Sequence, residues 1–236
     1  MSISSGLELH SRVFPCQAIL FDLDGTLVDT SEDLWLALQS ALQEHGIEAI
    51  GRDQFFRTLH YGIEGSVALI LQNPQALQAS LARPGDPELL SKVVSSYKSN
   101  YHQLAHQNSP LYEGVADLLD KCRSTGLKLG ICTNKEGDQT MDLLRTRHID
   151  QFFDVVLGVD QVTQPKPSPA PLIQALEMLQ LPMSCGLFVG DSELDAMASQ
   201  AAGLPFLLHQ QGFGASTVKP SFVDGSFDNY PQLKVV

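Results

Sequence analysis

The chain has 236 residues, 43% of them apolar, with 18 glycines and 13 prolines, which suits one large or two smaller globular domains with a substantial core. Its formal net charge of -12 argues against sequence-independent binding to nucleic acid or to an anionic membrane, since either needs a basic face to displace counterions. The four cysteines, Cys16, Cys122, Cys132 and Cys185, are scattered with no Cys-x-x-Cys pair, so buried free thiols in a reducing compartment are expected. Residues 1–16 begin with a polar stretch and hold no long apolar run, so neither a signal peptide nor a membrane span is indicated and the cytoplasm is the expected location.

In chain order, the first strand signal is the apolar run Gln17 to Phe21, which leads into Phe21-Asp22-Leu23-Asp24-Gly25-Thr26-Leu27-Val28-Asp29-Thr30. From about Glu32 to Ser109 the spacing turns helical, at Leu34, Leu38 and Leu42 and again from Val67 to Leu71, with few strand signals. This stretch reads as an inserted helical cap. Pro110 to Gly114 suits a linker back to the first region. Beyond it, strand runs at Leu127 to Cys132, Asp154 to Leu157, Gly186 to Val189 and Pro205 to Leu208 alternate with helical segments at Val115 to Cys122, Gly137 to Leu144, Pro169 to Leu179 and Leu194 to Ala202. Such alternation predicts an α/β fold, a doubly wound parallel sheet with an inserted helical cap domain. The core is expected over 1–31 and 110–236 and the cap over 32–109.

In open α/β sheets, ligands bind beyond the carboxyl ends of the strands. Asp22, Thr133 in Ile131-Cys132-Thr133-Asn134-Lys135, Asp191 in Gly190-Asp191 and Lys166 in Pro165-Lys166-Pro167 are all predicted there. Asp22, Asp24, Asp191 and Asp195 would then face a single Lys166, and like charges ~4 Å apart repel by roughly 4 kcal/mol at an effective dielectric of 20. A divalent cation is the natural remedy, and magnesium suits an all-oxygen set. Two carboxylates two residues apart at a strand end can also divide covalent attack and proton transfer between them.

Taken in this order, the segments around Asp22, Thr133, Lys166 and Asp191 resemble the four motifs of the haloacid dehalogenase superfamily, through nearly the whole chain and closest to its phosphoglycolate phosphatase-like branch. The resemblance implies a magnesium-dependent hydrolase of small phosphate esters. Asp22 would be the nucleophile that forms an aspartyl phosphate, and Asp24 the acid and then the base. Thr133, the Asn134 backbone N–H and Lys166 would hold the phosphoryl oxygens. Metal ligands would be the Asp22 and Asp191 carboxylates and the Asp24 carbonyl, with Asp195 steadying its neighbours. The cap would close over the site and exclude water. Substrate selection would fall to the cap segment His60 to Gly65, with Gly62, and to Arg57.

The acid at Asp24 favours an oxygen leaving group over a halide. Alternative readings are a sugar-phosphate mutase, for which Arg52 and Arg57 are the early cap cations, and a phospho-accepting signalling module that binds without turnover. His102 and His106 have a zinc-ligand spacing but no third ligand, and Gly212-Phe213-Gly214 reads as a loop after the last strand.

Overall fold

The computed structural model describes residues 5–72 and 85–236. The chain divides into two compact units, one of residues up to Asp29 and from Pro110 onward, the other Thr30–Ser109.

In the first unit six strands form one sheet: β3 (Ala18–Phe21), β4 (Lys128–Cys132), β5 (Val155–Leu157), β6 (Gly186–Gly190), β7 (Phe206–His209) and β8 (Gly225–Phe227), after a short hairpin of β1 (Gly6–Leu9) and β2 (Arg12–Pro15). Its order is β5-β4-β3-β6-β7-β8, and every pairing is parallel. β3, β6 and β7 are buried along their whole length, which is why they read as apolar runs. Along β3, Ile19 and Phe21 join the apolar cluster on one face while Ala18 and Leu20 join that on the other; on β6, Leu187 and Val189 part from Phe188 in the same way. Four helices cover the sheet: α5 (Val115–Ser124), α6 (Gly137–Thr146), α7 (Ala170–Met178) and α8 (Glu193–Ala202). (The helical unit carries α1 to α4, described below.) The expected α/β architecture is therefore present.

From β3 the chain builds outward through β4 to β5, then returns to lay β6 on the other side of β3. The strand order reverses at β3, so loops leaving β3, β4 and β6 diverge around one crevice at their carboxyl ends.

Four strands, β8 and three at the chain ends, fall outside the sequence expectation. The hairpin pairs antiparallel, and β1 also pairs with β9 (Lys234–Val235). Its two-residue turn holds His10 and Ser11, both at positive φ, where Asn-Gly would have given a sequence signal. The expected first strand is thus the third, and Gly212–Gly214 is followed by β8 and β9 rather than ending the sheet.

The second unit contains α1 (Ser31–Glu44), α2 (Arg52–Phe56), α3 (Gly62–Leu71) and α4 (Pro87–Gln103). Leu34, Ala37, Leu38, Ala41 and Leu42 form the buried stripe of α1, and Val93, Tyr97 and Tyr101 that of α4. Asp86 caps α4 by accepting from the Glu88 and Leu89 N–H groups. Among the described residues no helix is long and apolar enough to cross a membrane.

Candidate active site

Asp22 is the first residue after β3, Thr133 the first after β4 and Asp191 the first after β6. Lys166 comes from the loop ahead of α7. All four are buried, and carboxylate oxygens of Asp22, Asp191 and Asp195 lie within 4.8 Å of one another. Lys166 Nζ donates to Asp22 Oδ1 at 2.7 Å and to Asp195 Oδ1 at 2.6 Å, so one amine joins two segments.

Asp195 has its other oxygen committed as well. Oδ2 accepts from Ser192 N–H at 3.0 Å, Ser192 Oγ–H at 2.5 Å and Asp191 N–H at 3.3 Å. Ser192 Oγ in turn accepts from Asp195 N–H, which caps α8. With Oδ1 on the Lys166 ammonium and Oδ2 accepting three hydrogen bonds, Asp195 anchors Lys166 and the Asp191 turn. It serves the helix end and the site together.

Asp191 is fixed from three sides. Thr26 Oγ1 donates to Oδ1 at 2.9 Å and Gly214 N–H donates to Oδ2 at 3.2 Å. Gly25, at φ +84°, approaches so closely that a Cβ there would lie 2.5 Å from Asp191 Oδ2, and a Cβ at Gly212 would run into the Asp191 side chain. Glycine is required at both positions by this close approach. Gly212-Phe213-Gly214 is thus a brace on Asp191, a role its sequence did not disclose.

Asn134 is exposed, yet its side chain clasps the Lys166 backbone: Nδ2 donates to the Lys166 carbonyl at 3.0 Å, and Lys166 N–H donates to Oδ1 at 3.0 Å. The loop after β4 is thereby tied to the loop carrying Lys166. Thr133 Oγ1 accepts from Lys135 N–H at 3.2 Å.

The expectation of a single amine against four acids needs correction. Lys135 Nζ lies 3.2 and 3.3 Å from the two Asp24 oxygens, with side chains only 7% and 22% exposed. It stood next to Asn134 in the sequence, but only the fold turns it toward Asp24. Two lysines therefore face Asp22, Asp24, Asp191 and Asp195.

Burial is the largest influence on these groups. It lifts the Asp22 carboxyl from its ordinary 3.8 to about 6, opposed by the Lys166 charge and reinforced by Asp195. Asp191 is raised well above its ordinary value, first by burial and then by the charges of Asp195 and Asp22. Burial would depress Lys166, but its two carboxylate partners outweigh that and hold it above its ordinary value. Cys132 is pushed up to about 12, chiefly by burial, so the thiol beside Thr133 is an inert packing group.

The remaining candidates belong to the helical unit. Arg57 is exposed at the end of α2, and Gly62 opens α3 at φ +72°. Arg52 pairs with Glu32 at 2.6 Å and lies over the Trp35 ring. His106 stands beyond the end of α4 at φ +58°, so His102 and His106 do not share the regular helical face that their spacing suggested.

Fold and site together place a buried group of carboxylates and a lysine at the carboxyl ends of parallel strands in an α/β sheet. The sequence profile of the haloacid dehalogenase-like hydrolases matches residues 19–209. A phosphoglycolate phosphatase from Nitrosospira multiformis is 33% identical over 189 residues, covering 80% of this chain and 81% of its own length. One from Yersinia pestis is 34% identical over 189 residues, covering 80% and 78%. The crystal structure of a predicted phosphoglycolate phosphatase from Haemophilus somnus 129PT superposes with a TM-score of 0.81 at 25% identity, covering 91% of this chain and 95% of the other. The chain belongs to the haloacid dehalogenase-like hydrolases, as a phosphoric monoester hydrolase resembling the phosphoglycolate phosphatases.

Proposed function

We propose that the protein is a magnesium-dependent phosphatase of small phosphorylated metabolites, with phosphoglycolate-like monoesters as the leading substrates, acting through an aspartyl phosphate on Asp22. The observation that carries this reading is the buried set of Asp22, Asp191 and Asp195 with Lys166 at the strand-order reversal. Its donor chemistry fits a hard divalent ion, because carboxylate oxygens without histidine or thiol ligands suit magnesium. The Asp22 and Asp191 carboxylates and the Asp24 carbonyl would hold it, while Asp195 remains bonded to Lys166. When bound, the ion would neutralise carboxylates and phosphoryl oxygens so that the two can approach.

Asp22 attacks phosphorus in line, and the P–O bond to the leaving group breaks. Asp24 gives its proton to the departing alkoxide, then takes one from the water that attacks the acyl phosphate, which returns Asp22 as a carboxylate and releases phosphate. Lys135 Nζ, 3.2 Å from Asp24 Oδ1, holds the Asp24 side chain in place. Lys166, Thr133 Oγ–H and the Asn134 N–H bind the phosphoryl oxygens and balance their charge in the transition state. Arg57 and Gly62 are the proposed substrate-selecting residues of the cap, 32–109. The cytoplasm remains the proposed location.

Arg52 is engaged with Glu32, which leaves the mutase reading less support, and Asp24 favours turnover over a module that only accepts phosphate. The test is phosphate release from a panel of phosphoglycolate, pyrophosphate, hexose phosphates and nucleoside monophosphates, with magnesium or with EDTA. Repeated magnesium-dependent release led by a small monoester is expected. Full activity in EDTA would falsify the metal assignment, and a single stable labelling event would replace the phosphatase with the binding module.

A further inference from the structure

The loop carrying Asp22 and Asp24 turns through Gly25, Thr26 and Leu27, and the carbonyls of these three consecutive residues point at one aromatic cluster. His209 Nδ1 lies 2.9 Å from the Gly25 carbonyl oxygen. Since a carbonyl only accepts, the contact is a hydrogen bond in the tautomer with the proton on Nδ1, and the Asp228 carbonyl is a second acceptor beside the ring. Tyr230 Oη–H donates to the Thr26 carbonyl at 2.7 Å, and Tyr112 donates its backbone N–H to the Leu27 carbonyl at 3.1 Å. Within the cluster, His209 meets Tyr112 edge-on at 4.5 Å, stacks on Phe227 at 5.3 Å and touches Tyr230 at 5.4 Å between ring centroids. Tyr230 and His209 are each 1% exposed.

Both donors are buried and specifically aimed, and a buried Tyr or His is kept where its polar atom has a partner. Their targets immediately follow Asp24, whose own carbonyl must keep a fixed direction. Tyr230 also lies outside the span matched by the family profile, 19–209, on the tail that ends in β9 against β1.

We propose that Tyr230 and His209 are positioning residues for catalysis: they pin the Gly25 and Thr26 carbonyls, and so hold the Asp22–Asp24 loop in its reactive shape from behind. They touch no reacting atom. The catalytic consequence rests on the phosphatase reading above, whereas the pinning itself does not.

The test uses the full chain with Tyr230→Phe, which removes one oxygen and leaves the ring, and the pair His209→Phe and His209→Asn, of which Asn restores an N–H donor near Nδ1. Hydrogen exchange is followed in peptides spanning residues 21–30, with peptides spanning β6 as the internal reference. In Tyr230→Phe and His209→Phe, loop amides should exchange about tenfold faster, the factor expected for one lost hydrogen bond, with β6 unchanged. On the best ester from the panel, kcat should fall about tenfold with KM within about threefold, and His209→Asn should recover most of the loss. Wild-type exchange of the loop in both Phe variants overturns the pinning, and faster exchange with unchanged kcat overturns its catalytic role. If the wild-type protein hydrolyses no ester, the phosphatase reading and the catalytic role fall together, while the exchange result still decides the pinning.

Discussion

The two units bury polar groups for different ends. In the α/β unit, Asp22, Lys166, Asp191 and Asp195 are all buried and joined through one amine, a hydroxyl and several backbone N–H groups. In the helical unit, the buried carboxylate Asp33, fully enclosed near the start of α1, accepts from Asn108 N–H and Nδ2–H and from Ser109 Oγ–H. Asp33 ties the two ends of its own unit together with neutral donors. The comparison separates a cluster in which like charges crowd around a lysine from a single buried carboxylate met by neutral donors, and the first is the candidate for chemistry.

That contrast can be broken most sharply at Asp22. Asp22→Asn should abolish turnover, by about a millionfold where a covalent nucleophile is removed, while a melting curve shows the protein still folded; steady-state phosphate release near the wild-type rate would refute the nucleophile. Asp24→Asn should cost about 10²–10⁴ in kcat, the usual worth of a general acid and base, and acid-quench trapping should find the aspartyl phosphate accumulating. In the helical unit the same kind of change should act on stability instead. Asp33→Ala leaves the Asn108 and Ser109 donors without their acceptor and should cost about 2–3 kcal/mol in denaturant unfolding, with kcat altered far less than by either catalytic change.

A pH series sharpens the comparison further. Asp22 titrates near 6 in the folded chain against an ordinary 3.8, and Asp191 is raised with it. A folded state that retains protons the unfolded chain has released loses stability as pH rises, so the Asp22 contribution should decline from about pH 4 to about pH 6, with Asp191 adding a decline of the same sign. Magnesium needs the ionised carboxylates. Its effect on the melting temperature should therefore be larger at pH 7.5 than at pH 5, and equal shifts at both would contradict the assignment of Asp22 and Asp191 as ligands. The smallest effect is expected at Arg57, which is exposed: Arg57→Ala should raise KM for phosphoglycolate up to about tenfold with kcat unchanged, the mark of lost uniform binding.

Much of the site could be read in advance because its residues follow strand ends. Phe21-Asp22, Cys132-Thr133 and Gly190-Asp191 each join an apolar run to a polar group, and parallel strands bring such junctions to one edge of the sheet. What escaped notice depended on side-chain direction or on backbone partners. Lys135 looked like any lysine after Asn134. Tyr230 and His209 serve carbonyls roughly two hundred positions earlier in the chain. The hairpin at His10 and Ser11 lacked its usual glycine, and β8 and β9 are three and two residues long, too short for periodicity to speak.

By itself the sequence determined the α/β alternation, the helical stretch and the residue types of the candidate site, because hydrophobic period and strand-end chemistry are local properties. Only the tertiary structure decided which amine meets which acid. It also decided that Asp195 is already occupied by Lys166 and Ser192, and that an aromatic cluster stands behind the Asp22 loop. Those outcomes depend on distance and direction between segments far apart in the chain, which local pattern does not encode.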